Sequence, residues 1–383
     1  MTSVALPPAT ASTTTAGHRV FNFSAGPAAI PESVLEEARR DLIDIAGTGI
    51  GILEHSHRGA LFDRVLHEAL ADCRELGKIP PSHEILFISG GATLQFAMVP
   101  LNFLEPGRSA DYLATGVWAQ KAAVEARHVA ALTGGSVRIA FDGRRHRYDH
   151  VPEPAELDLD PHAAYAHYCS NNTVYATRFA APPPARVPLI CDASSDIFSR
   201  RHDDPWRFGS HALVYASGQK NLGPSGMVLV IADRAFLGSA RRGLPSLLDY
   251  RAYVAGESRP STPNTWGIYL MGRMFRWMLA EGGLDALAAR NEAKAALLYD
   301  VIDAGFYVGM ARRESRSLMN VGFRLPSEAL EERFATEAAQ AGLDGLRGHR
   351  ESGGLRASIY NAMPVEGCRR LAEFMRDFAA RLG

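Results

Sequence analysis

The chain has 383 residues and carries 41 Lys and Arg against 42 Asp and Glu, a formal charge of −1, so no global field favours nucleic acid or an acidic membrane surface. Hydrophobic residues make up 46%, enough for two domains or one large core, yet no apolar stretch approaches the roughly 18 residues of a membrane span. Four cysteines, Cys73, Cys169, Cys191 and Cys368, show no C-x-x-C spacing and read as reduced thiols of a cytoplasmic protein, with no disulfide or metal role.

Residues 1–20 are Thr/Ala/Pro-rich and lack an apolar h-region, which reads as a flexible tail and not a signal peptide. From residue 21 onward apolar runs alternate with helical patterns, the texture of a parallel sheet covered by helices in an α/β domain. The expected strands are "EILFIS", "ADYLAT", "AAYAHY", "VPLICD", "ALVYAS" and "GMVLVI". Helices follow from Trp266 to Gly282 and from Leu284 into "RNEAKAALLYDVIDAG". The texture then becomes strand, helix, strand, helix: "MNVGFRLP", "EALEERFATEAAQAG", "GLRASIYNA", "VEGCRRLAEFMRDFAARL". We read a large domain over residues 21–282, whose first few residues can pack with the small domain, and a smaller α+β domain over 283–383. No internal repeat stands out, and "APPPARVP" is the only biased linker.

Five of the strands end in small or polar residues: "SGGAT", "TGVW", "CSNNT", "DASSD" and "GQKN". Ligands of open α/β sheets bind outside the carboxyl ends of the strands, so these tails point to one site. In "YASGQKNLGPSG" a single lysine, Lys220, stands among three glycines at a strand end. It precedes the last glycines, which is the wrong order for a nucleotide-binding phosphate loop. A desolvated amine poised for Schiff-base formation fits better, with glycines admitting a flat ring. Pyridoxal phosphate needs such a lysine and an acid for its ring nitrogen, and Asp192 at the end of "VPLICD" is the candidate, although alone it would read as a helix N-cap. "GGATLQF" offers glycines and a helix start for a phosphate. Trp118 in "TGVWAQKA" stands where an indole can face a ring or simply fill a core. The clusters "HSHRG" and "RGHRESGGLR" supply His57, Arg58, His349, Arg350 and Arg356, which are either solvated or two anion pockets.

The runs "FNFSAGPAAIP", "SHR", "GGATLQF", "TGVWAQKA", "SNNTVYATRF", "CDASSDIFSR", "SGQKNLGPSG" and "RGHRESGGLRASIYNAMP" together resemble, in order, the motifs of the phosphoserine aminotransferase family, and they span residues 21–364. The resemblance implies a fold-type I, class V aminotransferase that uses pyridoxal 5'-phosphate. It also implies transfer of an amino group from glutamate to 3-phosphohydroxypyruvate in serine, and in some cases pyridoxine, biosynthesis. By the same resemblance Lys220 is the Schiff-base lysine, Asp192 the ring-nitrogen partner and Trp118 the ring-stacking residue. Thr173 meets the phenolic oxygen, and Ala92, Thr93 and Gln219 hold the cofactor phosphate. Arg356 takes the α-carboxylate, while His57, Arg58, His349 and Arg350 surround the substrate's distal anion. The family assembles as a homodimer with shared sites, to which Ser261 and Thr262 contribute. Ser261 departs from the family's asparagine and has a shorter reach, and His55 replaces an apolar residue.

Other readings are weaker. A desulfurase on this fold needs an exposed, activated cysteine, and a ligand-sensing regulator needs an added nucleic-acid module; neither is visible. An aminotransferase of another keto acid, including the phosphorylated hydroxythreonine precursor of pyridoxal phosphate, remains compatible with every motif.

Overall fold

The computed structural model describes residues 19–382, so most of the expected N-terminal tail lies outside the described residues. In chain order the elements are β1 (Phe21–Asn22), α1 (Glu32–Asp41), α2 (Ala60–Gly77), β2 (His83–Ser89), α3 (Ala92–Phe103), β3 (Ser109–Ala114), α4 (Val117–Thr133) and β4 (Ser136–Asp142). Next come β5 (Ala166–Cys169), the short pair β6 (Asn171–Asn172) and β7 (Thr177–Arg178), then β8 (Leu189–Asp192), β9 (Leu213–Ser217), β10 (Met227–Asp233), α5 (Arg234–Gly238), α6 (Tyr250–Ala255) and α7 (Thr265–Ala280). The chain closes with α8 (Gly283–Asp303), β11 (Val308–Gly309), β12 (Asn320–Arg324), α9 (Glu328–Gln340), β13 (Leu343–Asp344), β14 (Leu355–Ser358) and α10 (Val365–Leu382).

A seven-stranded sheet in the order β2-β10-β9-β8-β5-β3-β4 forms the centre. Its side chains alternate between two cores, as a period of two requires. Ile85, Phe87, Val214, Ala216, Leu229 and Ile231 face α2 and α7, whereas Leu86, Ile88, Leu213, Tyr215, Val228 and Val230 face α3 and α4. Strands buried on both faces therefore read as continuous apolar runs. Each fully buried Leu, Ile, Val or Phe among them contributes about 1.5–3 kcal/mol.

Two features depart from the expected sheet. Strand β10 runs antiparallel to both β2 and β9, because only residues 218–226 separate it from β9 and a parallel return needs roughly a dozen or more residues. Within that tight connection a Cβ on Gly218 would lie 2.2 Å from the Pro224 carbonyl oxygen, so glycine is required there. Edge strand β4, not among the expected strands, pairs parallel with β3. Its pattern is interrupted by Arg138, whose guanidinium donates to the fully buried Asp111 at 2.9 Å and to Asp158 at 2.9 Å.

A third apolar cluster gathers Ala295, Leu298, Val321, Phe323, Phe334, Leu371 and Phe378 under the sheet β11-β12-β14. Phe23 belongs to this cluster, and β1 pairs with β13. Among the described residues no helix is long and apolar enough to cross a membrane.

Candidate active site

The carboxyl ends of β2, β3, β8 and β9 converge on a cleft of about 300 Å³ lined by Gly90, Gly91, Ala92, Thr93, Trp118, Asp192, Ser194, Gln219 and Lys220. Antiparallel β10 delivers Ser225 and Gly226 from its amino end. Gly91 holds φ at 74°, a conformation that favours glycine, and this turn aims the start of α3 into the cleft. No side chain caps α3, so its first N–H groups and its positive dipole end are available to an anion. Ala92 N–H makes only a 3.4 Å contact to Ser217 Oγ.

Lys220 Nζ donates to Thr173 Oγ1 at 3.0 Å and lies 6.0 Å from the centroid of the Trp118 ring. Burial pulls its amine below the ordinary lysine range, while the nearby Asp192 carboxylate pulls the other way. Asp192, 5% exposed, is pushed up by burial and pulled down by the Lys220 charge and by Ser194. Its Oδ1 accepts from Ser194 N–H at 2.9 Å, and Cys169 Sγ approaches Oδ2 at 3.9 Å.

Arg356, on β14 and 8% exposed, reaches the same region: its Nη1 donates to the Thr173 carbonyl oxygen at 3.4 Å. Thr173 thus touches the amine through its side chain and the guanidinium through its backbone. Burial lowers the Arg356 pKa, its Nε has no hydrogen-bond partner, and it faces an adjoining cavity that shares Gly26 with the cleft. A buried guanidinium with an unpartnered donor is chemically suited to an anion.

The remaining expected residues stand apart from the cleft lining. His57 and exposed Arg58 contact each other at 3.3 Å, and the His57 carbonyl oxygen accepts from Arg259. His349 is half-buried, its pKa lowered mainly by burial, in a turn where its carbonyl accepts from Ser352 and Gly353 N–H groups, and Arg350 beside it is exposed. Ser261 and Thr262 are exposed, and neither lines the cleft within one chain.

Sequence reasoning passed over Ser194 and Ser217. Ser194 Oγ accepts from Ser217 N–H at 3.0 Å, which ties the ends of β8 and β9 and so sets Asp192 against the segment leading to Lys220. An Asp followed two residues later by Ser is the available signal, since such a carboxylate commonly accepts from the N–H two residues on. The Cys169 contact carries no such local sign.

The family model described as Aminotransferase class-V matches residues 20–371. The chain belongs to the class-V aminotransferase family. This aminotransferase is 47% identical over 369 residues to the phosphoserine aminotransferase of Aromatoleum aromaticum, covering 95% of its own chain and 100% of that relative. It superposes on the solved phosphoserine aminotransferase of Bacillus circulans subsp. alkalophilus with a TM-score of 0.91 at 44% identity, over 96% of this chain and 100% of that one. The PLP-bound phosphoserine aminotransferase of Trichomonas vaginalis matches with a TM-score of 0.88 at 34% identity, over 94% of this chain and 100% of that one.

The aminotransferase cleft fits such a cofactor. It has a helix start without a side-chain cap for a phosphate, a buried Asp192 carboxylate and a half-buried Lys220 amine lining the same cleft, and a Trp118 indole whose buried Nε1 finds no partner in the protein.

Proposed function

We propose that the chain transfers the amino group of L-glutamate to 3-phosphohydroxypyruvate, giving O-phospho-L-serine and 2-oxoglutarate, with pyridoxal 5'-phosphate as cofactor. The observation that carries this reading is the buried Arg356 guanidinium, without a paired carboxylate among the described residues, joined through Thr173 to the Lys220 amine. The naming of the full-length relatives supplies the substrate class. The reaction belongs to serine biosynthesis and, with a related phosphorylated keto acid, to pyridoxine biosynthesis, in the cytoplasm.

When bound, pyridoxal phosphate supplies an electrophilic carbon for the amino group and a protonated ring that accepts the electron pair left at the substrate's α-carbon. Ala92, Thr93 and Gln219 would hold its phosphate, with the N–H groups of α3 as donors. Asp192 would keep the ring nitrogen protonated; its own burial is costly without a proton-bearing partner. Trp118 would lie against the ring, and Thr173, which accepts from Lys220 in this structure, would hydrogen-bond the ring oxygen. Lys220 would anchor the cofactor, and burial, which lowers its pKa, suits Nζ to holding and moving a proton at the α-carbon. Arg356 grips the α-carboxylate and so fixes the α-carbon relative to Nζ.

The distal anion of either substrate is read by His57, Arg58, His349 and Arg350. We place His57 and Arg58, with Ser261 and Thr262, at a neighbouring protomer's site in a homodimer; none of them lines the cleft of its own chain. We also divide the chain at 282/283, a reading supported by the separate apolar cluster that gathers Phe23 with residues from Ala295 to Phe378, although Leu284 and Leu287 at the start of α8 pack in the large core. A second reading, an aminotransferase of another keto acid, is favoured by Ser261 in place of the family's asparagine.

The test is a coupled assay of 2-oxoglutarate release with phosphohydroxypyruvate and hydroxypyruvate as alternative acceptors. A higher kcat/KM for the phosphorylated acid is expected. A preference for the unphosphorylated one would move the enzyme to another pathway.

A further inference from the structure

Outside the Lys220 cleft, the turn after β4 brings His146, His150 and Glu156 together. One ligand atom from each lies within 4.8 Å of the others. His150 is 5% exposed, packed edge-on to Phe141, whereas His146 and Glu156 are exposed at the rim.

Two contacts orient the inner pair. His150 Nδ1 stands 2.6 Å from Asp149 Oδ1, and Asp149 is held in turn by Arg312 Nε at 3.1 Å. Glu156 Oε2 accepts from Glu153 N–H at 2.9 Å. What remains is His150 Nε2 facing Glu156 Oε1 at 3.3 Å. With Nδ1–H given to Asp149, a neutral imidazole would aim its Nε2 lone pair at a carboxylate oxygen. That arrangement needs a positive centre between the two atoms, either a second ring proton or a metal ion.

The distance suits the metal. Two ligands of a tetrahedral zinc with bonds of about 2.0–2.1 Å lie about 3.3 Å apart. A carboxylate behind the ring nitrogen opposite the metal is the usual support of a ligating histidine. His146, whose ring centroid is 4.8 Å from that of His150, can turn its imidazole in from solvent as the third ligand. Water completes the fourth position, the arrangement of a site with three protein ligands.

We propose that His146, His150 and Glu156 form a surface site for a divalent transition metal of the zinc class. The ion would clamp the turn between β4 and residue 156, and through Asp149 the contact of this turn with Arg312.

The experiment is calorimetric titration of tag-free, chelator-treated holoenzyme with Zn²⁺, with Co²⁺ absorption as a check on geometry. All four cysteines are buried, so thiols do not compete. One Zn²⁺ per chain is expected, together with the intense visible bands of four-coordinate Co²⁺. His146→Ala, an exposed change that leaves the fold intact, should weaken Zn²⁺ at least about tenfold, Glu156→Gln likewise, and Asp149→Asn about 10–100-fold. Absence of a saturable one-to-one site in the wild type would overturn the proposal. Binding unchanged in His146→Ala and Glu156→Gln would overturn it equally.

Discussion

Arg356→Met separates ligand binding from folding in a single residue. In the protein without substrate the guanidinium gains little: one 3.4 Å bond to Thr173 and a buried Nε with no partner. Losing the bond costs about 0.5–1.5 kcal/mol, and relieving the unsatisfied donor returns about 1–3 kcal/mol. A methionine of similar length fills the space without a charge. The unfolding free energy of the variant should therefore stay within about 1–2 kcal/mol of the wild type, or rise. With substrate the balance reverses. A carboxylate gripped by both arms of the fork accepts two charge-assisted hydrogen bonds of about 1.5–3 kcal/mol each, or about 3–6 kcal/mol together. At 1.36 kcal/mol per factor of ten, kcat/KM should fall about 10²–10⁴-fold, and by a similar factor for every amino donor, because all share the α-carboxylate. Steady-state kinetics with glutamate and phosphoserine, beside denaturant unfolding of the apoprotein, measures both quantities. A loss below tenfold, or one confined to a single donor, refutes the α-carboxylate role. A loss of several kcal/mol in the apoprotein would make Arg356 a structural residue.

Asp192→Asn should retain the bond from Ser194 N–H and remove a buried charge, so stability at neutral pH should be no lower while turnover falls about 10²–10³-fold; near-normal turnover in a folded, cofactor-bound variant would defeat the proposed role. Lys294 is fully buried, and burial lowers its pKa from 10.5 to about 7, while the carbonyls of Ile359, Tyr360 and Met363, which match the three donors of the ammonium, oppose that fall, so that the pH window below is its widest extent. Across that window the unfolded chain holds more protons than the native one, so this group's contribution to stability is lost as the pH falls from about 10.5 to 7. Unfolding measured across that range should rise with pH in the wild type, by up to about 1.4 kcal/mol per unit, and lose this increment in Lys294→Met; identical slopes would contradict it. Mixing Lys220→Ala chains with Thr262→Trp chains should restore one intact site per mixed dimer; mixed dimers verified by mass but inactive would argue against shared sites.

The order of elements and the line of the cofactor cleft are legible in the sequence, because both rest on local patterns. Apolar runs that end in Gly, Ser or Asp mark strand ends, and the position of Lys220 among glycines is a one-dimensional fact. Strand β4 was hidden since an edge strand needs no continuous apolar run, and its Arg138 is explained only by Asp111 on the neighbouring strand. The direction of β10 turned on the shortness of the 218–226 connection, which was in plain view.

What the residues alone determined is the chemistry available: an amine, a carboxylate, an uncapped helix start and a set of arginines. Which of them share a site was decided by tertiary contact. Thr173 and Arg356 are 183 residues apart in sequence, and no local pattern couples them. Asp192 and Lys220 come together because β8 and β9 are neighbours in one sheet, with Ser194 and Ser217 bonded across their ends. Burial then shifts the pKa of both groups, and burial is a property of the packed whole: the same Asp and Lys in an extended chain would titrate as ordinary side chains.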